Sequence, residues 1–271
     1  LCYFGGIYYS PDNYIESMQK RRLHYFISDV HLGLKAFNPV ARERNFARFL
    51  NELPSDTAEI YLLGDIFDFW YEYKYVIPNG FARTLGALAG LNDRGVKIYF
   101  INGNHDVWTF SYLQKEIGFI ILEEMTVKDI SGTRFCLAHG DELTGETGQR
   151  ILKKAFRSRF LQILFSSVHP RWAFALASKW SKHNRLNSGM DFRFRGAEDP
   201  LYEVASNFEK GEKVDYFIFG HMHTAGNNLT PEGAGFYILG EWIYGCDYLV
   251  FNSEDKTLKW EKSSYCNQNI E

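Results

Sequence analysis

Apolar residues along the chain fall into two rhythms that take turns. Short, nearly continuous apolar runs at positions 24–28, 60–63, 97–101, 134–138 and 216–219 have the length and density of buried strands. Between the first three runs lie segments with apolar residues three and four apart. Phe46, Phe49 and Leu50 mark a helix over 40–53, which ends before Pro54. A second helix over 81–91 is stopped by Asn92-Asp93-Arg94-Gly95. Strands alternating with helices predict an α/β architecture. Further short strands at 235–239, 248–251 and 258–260 close the chain, and two stacked sheets flanked by helices accommodate them all.

Residues 145–194 interrupt this alternation. Leu152, Phe156, Phe160 and Leu164 recur every four positions, as on one helix face, and Trp172, Leu176 and Trp180 repeat the spacing after His169-Pro170. The pattern predicts a helical hairpin inserted between two strands, with a helix over 200–210 returning the chain to the sheet. The expected division is an N-terminal extension (1–22), a core (23–144 and 196–262), a helical cap (145–195) and a C-terminal tail (263–271). Met18 is a candidate natural start, with the stretch before it an extension.

Charge sharpens this division. The whole chain carries a formal net charge of only -3, which points to no particular partner. From Arg150 to Arg195, however, eleven Lys or Arg face a single acid, Asp191, while the remainder holds 19 basic and 32 acidic residues. A cationic cap over an acidic body invites an anionic ligand or surface, although a solvated basic face over ordinary helix packing accounts for the same composition. Nucleic acid also suits such a surface, but the apolar content of the insert favours lipid. Cys2, Cys136, Cys246 and Cys266 are scattered without a CxxC pair, so neither a disulfide nor a zinc-thiolate site is expected, and a reducing, cytoplasmic setting fits. No apolar run is long enough to span a bilayer.

The chemistry sits where the strands stop. The runs end in Asp29-x-His31, Gly64-Asp65-x-x-Asp68, Gly103-Asn104-His105-Asp106, His139-Gly140-Asp141 and Gly220-His221-x-His223. In open α/β sheets ligands collect at the carboxyl ends of strands. Taken singly, each segment has an ordinary structural explanation: a turn-capping aspartate, a tight turn, a hydrogen-bonded core histidine. Five of the eight histidines fall within these segments, and together they supply carboxylate, amide and imidazole ligands without thiolate. That donor set suits two divalent ions, Mn2+ foremost, with Fe2+ or Zn2+ also accommodated. A metal pair clamps a phosphoryl group and acidifies a bound water.

These five segments resemble the calcineurin-like metallophosphoesterases, from Asp29 to the end of the sheet. The resemblance implies a four-layer α/β/β/α sandwich with the helical cap as an insertion. It places Asp29, His31, Asp65 and His223 on one metal, and Asp65, Asn104, His139 and His221 on the other, with Asp65 bridging. It makes His105 a substrate contact or general acid, oriented by Asp68. A narrower resemblance, to the UDP-2,3-diacylglucosamine diphosphatases of lipid A synthesis, rests on Gly64-Asp65-Ile66-Phe67-Asp68-Phe69-Trp70, on the insert after His139-Gly140-Asp141, and on Leu239-Gly240-Glu241-Trp242. It implies hydrolysis of a UDP-linked diacylated glucosamine to UMP and the sugar 1-phosphate at the cytoplasmic face of the inner membrane. Asn104, His105, Ser181, Lys182 and Arg185 would then contact substrate. The best-known branch carries Arg where this chain has His105, which keeps a phosphodiesterase or nuclease in view. A non-catalytic metal-binding scaffold is the remaining alternative.

Overall fold

Because side chains alternate across a strand, the apolar runs need cover on both faces, and the architecture provides it. The computed structural model describes residues 2–4, 7–9, 21–35, 38–143, 158–173 and 193–266. Strands β1 (Cys2–Phe4) and β2 (Ile7–Tyr9) pair as a separate antiparallel hairpin. In the first large sheet β3 (Leu23–Ile27), β4 (Thr57–Leu63), β5 (Lys97–Ile101) and β6 (Phe119–Ile121) run parallel. The antiparallel pair β12 (Asp247–Asn252) and β13 (Thr257–Lys262) extends it beyond β3. The second sheet comprises β7 (Met125–Ile130), β8 (Thr133–Ala138), β9 (Tyr216–Phe219), β10 (Gly226–Leu229) and β11 (Gly235–Ile238), in the order β10-β11-β9-β8-β7.

The period of two then sorts the core into layers. Tyr25, Ile27, Ile60, Leu62, Ile98 and Phe100 pack with Phe46 and Leu50 of α1 (Pro39–Asn51) and Leu85 and Leu88 of α2 (Ala82–Asp93). Their neighbours Phe26, Tyr61, Leu63, Tyr99 and Ile101 meet Phe135, Leu137 and Ile218 between the sheets. On the far face of the second sheet, Cys136, Ala138, Phe217 and Phe219 pack with Leu201 and Ala205 of the final helix, Pro200–Phe208. The result is the expected α/β/β/α sandwich. Phe26 stacks on Tyr61 and Phe135 at 4.9 and 5.3 Å, so its truncation to Ala would cost about 3–5 kcal/mol.

Helix α1 starts where Asn38 accepts from the Ala41 N–H at 3.1 Å and Pro39 opens the first turn. Helix α2 has no such residue of its own. The buried Glu43 of α1 instead accepts from Arg83 and Thr84 N–H, each at 3.0 Å, which fixes the two helices together.

One expectation changes. Cys246 and Cys266 are joined in a disulfide, with Cα atoms 5.5 Å apart, because the β12–β13 hairpin brings the chain back on itself. The reducing compartment therefore loses its support from cysteine usage. Cys136 is buried, as expected. Within the insert, α3 (Arg159–Ser166) is helical, but Phe160 and Leu164 on the periodic face are 74% and 58% exposed. The core is met instead through Phe165, whose ring lies 5.0 Å from Tyr71 and 4.7 Å from Trp108, while Tyr71 and Tyr73 hydroxyls donate to the Gln162 and Val168 carbonyls. Leu152, Phe156, Leu176 and Trp180 lie outside the described residues. Among the described residues no helix is long and apolar enough to cross a membrane.

Candidate active site

Parallel pairing of β3, β4 and β5, and of β8 with β9, brings five strand ends to one edge of the sandwich. There the chain makes turns that side-chain-bearing residues normally avoid. Asp29, His31, Asp65, His221 and His223 all adopt positive φ, between 48° and 69°. Such strain clusters at functional sites and persists only where surrounding structure holds it. Two glycines allow the loops to close. A Cβ on Gly64 would lie 2.6 Å from the His139 ring, and one on Gly103 would overlap the Asp65 carboxylate.

Ligand atoms of Asp29, His31, Asp65 and His223 lie within 4.8 Å of one another. His31 and His223 face each other Nε2 to Nε2 at 3.4 Å, and Asp29 Oδ1 is 3.7 Å from the first and 3.5 Å from the second. Asp65 Oδ2 approaches His31 at 3.9 Å on one side and His139 at 3.5 Å on the other, so it lies between the two. His221 stands edge-on to His139 with ring centroids 5.2 Å apart, and its N–H donates to Asp29 Oδ2 at 3.0 Å. Asn104 is exposed, between Gly103 and a residue whose N–H donates to Asp65 Oδ1 at 2.9 Å. Ser181, Lys182 and Arg185 lie outside the described residues.

Three buried atoms in this cluster have no hydrogen-bond partner among the described residues: Asp29 Oδ1, His139 Nε2 and His221 Nδ1. Buried polar atoms are rarely left so. Each is a good electron-pair donor, and all three belong to the ligand set the sequence proposed, so the residues fit a pair of divalent ions. Electrostatics agrees. Burial opposes charge on His31, yet Asp29 and Asp68 raise it to about 9, and His139 is held well above the ordinary imidazole value by Asp65 despite its burial. Asp29 and Asp65 are kept ionised against burial by the surrounding histidines. His221 is pushed down to about 4 by burial and by His139, which leaves it neutral. The buried carboxylates thus draw positive charge to the cluster, which a bound cation would supply.

His105 lies at the open side of this cluster. Its Nδ1 donates to the Asp68 backbone carbonyl at 2.9 Å, which leaves Nε2, 3.9 Å from Asp65 Oδ2, directed into the site. The Asp68 carboxylate is 3.8 Å from His105 Nδ1 but 3.5 Å from His31 Nδ1. Asp68 therefore orients His105 mainly through its main chain, and its side chain sits between two histidines rather than serving one.

Residues given no role by the motifs hold the loops in place. The fully buried Asp106 accepts from Ile66 and Phe67 N–H with one oxygen (2.8 and 3.2 Å) and from Gly103 and Asp65 N–H with the other (2.8 and 3.2 Å). It clamps the Asp65 loop to the Asn104 loop. Burial and the charge of Asp65 raise its carboxyl to about 7. Arg42 donates to the His31 carbonyl at 2.9 Å, and Trp242 N–H to the Asp29 carbonyl at 3.0 Å. For Asp106 the signal was present, as a carboxylate directly after Asn104-His105. Nothing local in sequence connects Arg42 or Trp242 with the site.

The sequence model of the calcineurin-like phosphoesterases matches residues 25–225, and the chain belongs to that family. Within it, the chain is 36% identical to a UDP-2,3-diacylglucosamine hydrolase of Porphyromonas gingivalis, over 87% of this chain and 96% of the relative. It is 30% identical to the enzyme of that name from Proteus mirabilis, over 80% and 90% of the respective lengths. Among solved structures, a Vps29 variant from Entamoeba histolytica aligns with 88% of this chain at 13% identity and a TM-score of 0.43.

Proposed function

We propose that the chain hydrolyses the pyrophosphate bond of UDP-2,3-diacylglucosamine to UMP and 2,3-diacylglucosamine 1-phosphate. The observation that carries this is the 36% identity to the P. gingivalis hydrolase over 96% of its length and 87% of this chain. Asp29, His31, Asp65 and His223 would hold one divalent ion, and Asp65, Asn104, His139 and His221 the other, Mn2+ being the first choice. The ions supply Lewis acidity to the phosphoryl oxygens and activate water. The protein does the rest. The strained loops hold the ligands in place before substrate arrives, and Asn104 and His105 line the open side, where a phosphoryl group would enter. His105, its Nδ1 held by the Asp68 carbonyl, would give a proton from Nε2 to the departing oxygen.

The exposed Phe160, Ile163, Leu164 and Trp172, within an insert rich in Lys and Arg, support contact with an anionic membrane surface and the substrate's acyl chains. Ser181, Lys182 and Arg185 remain proposed substrate contacts. His105 favours one second reading, a phosphodiesterase, because an alkoxide gains more from a general acid than a sugar phosphate does.

The test is UMP release from the UDP-lipid by the metal-loaded chain, abolished by a chelator and restored by Mn2+. Turnover of a chromogenic phosphodiester without UMP release would replace the pyrophosphatase with a phosphodiesterase. Turnover of neither would leave a metal-binding scaffold.

A further inference from the structure

A groove of about 590 Å³, lined by Asn102, Val107, Leu122, Glu123, Glu124 and Met125, lies outside the metal-ligand cluster. The sheets fix its position. Leu122 N–H donates to the Phe100 carbonyl at 2.8 Å, beside the strand end that carries Asn104. Met125 pairs with Ala138, the residue before His139. The 122–125 turn therefore joins the strand ends of the two sheets at the edge of the sandwich that carries the candidate active site. Helix α3 meets the core at Tyr71 and Trp108, after β4 and β5. A substrate with two unlike halves about a phosphoryl centre thus meets the apolar insert and this groove as separate surfaces.

The lining selects among ligands. Among the described residues it contains two carboxylates and no Lys or Arg, so phosphate is disfavoured there, and charge on its rim disfavours an acyl chain. Val107, Leu122 and Met125 offer an apolar wall of the kind that packs against a planar base. Glu123 and Glu124 offer acceptors for neighbouring hydroxyls. The Asn102 amide nitrogen donates to the Asp106 carbonyl at 2.9 Å and to Thr109 Oγ1 at 2.7 Å. The Asp106 carbonyl only accepts, so this assignment of the amide is forced, and with both protons committed Asn102 presents an oxygen acceptor to a ligand. An acceptor matches the N3–H of uracil and not the bare N3 of cytosine. The volume is that of a small-molecule site.

We propose that this groove is the nucleoside subsite. It takes a uridine whose base packs on Val107, Leu122 and Met125, whose N3–H meets Asn102, and whose ribose hydroxyls meet Glu123 and Glu124. The assignment rests on the proposed function, since it is the nucleotide half of that substrate that the groove receives.

The test measures binding of UMP, 2′,3′-dideoxy-UMP and CMP to the metal-loaded full chain by calorimetry. All three nucleotides carry the same phosphate, so their differences report the nucleoside alone. UMP should bind about tenfold more tightly than either analogue, which corresponds to about 1.4 kcal/mol. In the double variant Glu123→Gln/Glu124→Gln the ratio of UMP to dideoxy-UMP should fall to about threefold or less, while the preference for UMP over CMP persists. Equal affinity for the three nucleotides, or a ribose preference untouched in the double variant, would overturn the subsite. UMP selectivity that behaves as stated, without UMP release from the UDP-lipid, would sustain the groove as a uridine site and reject the proposed substrate. Release of UMP without selectivity would do the reverse.

Discussion

Asp106→Ala is the substitution for which the structure gives the clearest magnitude. It removes a fully buried carboxylate that accepts four main-chain N–H groups, those of Asp65, Ile66, Phe67 and Gly103, at 2.8–3.2 Å. A buried donor left without its acceptor costs about 1–3 kcal/mol, so four would total about 4–12 kcal/mol. The loop is not sealed, since Asn104 is exposed and the His105 side chain is 18% exposed, and water entering the vacated space would satisfy part of the set. A net cost of about 4 kcal/mol is expected, near the low end of that range. At about 2–4 °C per kcal/mol for a chain of this size, Tm should fall by about 8–16 °C.

Thermal unfolding of the metal-free protein, followed by circular dichroism, isolates that structural cost. The same clamp aligns the Asp65 loop with the Asn104 loop, so metal affinity, measured separately by titration, should fall about 10- to 100-fold, as when other supporting contacts around metal ligands are lost. Asp106→Asn, which keeps one acceptor oxygen, should fall between wild type and Ala on both scales. A Tm within about 2 °C of wild type, outside the range given by this scaling, would refute the assigned role of the four hydrogen bonds. A large Tm loss with unchanged metal affinity would make Asp106 a structural support only.

Asp65→Ala should reduce occupancy at both metal positions, and elemental analysis finding two ions per chain in that variant would reject Asp65 as the bridge. His105→Ala should keep its metal yet slow substrates with poor leaving groups more than those with good ones; equal slowing across a series of substituted phenyl esters would assign His105 to positioning instead. Phe165→Ala removes two aromatic contacts worth about 0.5–1.5 kcal/mol each, so KM for the diacylated UDP-sugar should rise about tenfold with little change for a small diester, and an unchanged KM would free α3 from any part in substrate binding. Cys266→Ser opens a disulfide between residues 20 positions apart and should cost about 3 kcal/mol under non-reducing conditions; a wild-type Tm indifferent to reductant would show that the bond contributes nothing.

The sheets were legible because each central strand has cover on both sides, and a strand buried on both faces writes itself as an unbroken apolar run. The runs at 60–63 and 216–219 stop where β4 and β9 stop. Strand β10, Gly-Asn-Asn-Leu at the sheet edge, has no apolar alternation and gave no signal. The insert was legible as a helix, but not in what it touches. A four-residue apolar period marks a face that avoids water, but it does not name what covers it. In α3 the face with Phe160 and Leu164 is exposed, and Phe165, one position off the period, reaches the core. The Cys246–Cys266 pair was invisible because sequence spacing says little about which loops a hairpin returns to each other. The metal ligands were readable as residue types at strand ends, whereas the contacts that fix them come from distant parts of the chain.

Those distant contacts explain how so many left-handed residues persist in one place. Each such conformation costs about 1–3 kcal/mol for a residue other than glycine, and Asp29, His31, Asp65, His221 and His223 all adopt it. The loops offset that cost by holding one another. Asp29 N–H donates to the Gly64 carbonyl, and the Asp29 carbonyl accepts from Trp242; His31 N–H donates to the Asp65 carbonyl, and the His31 carbonyl accepts from Arg42. Asp65 N–H is held by Asp106, and His221 N–H by the side chain of Asp29. Four of these bonds run directly between ligand-bearing loops, so disturbing one strand end loosens the next. The ligands are consequently set as a group, which is the requirement for two ions that share Asp65. It follows that Arg42→Ala, at a residue that offers the site no ligand but holds the His31 carbonyl with its side chain, should lower the affinity for both ions together rather than for one.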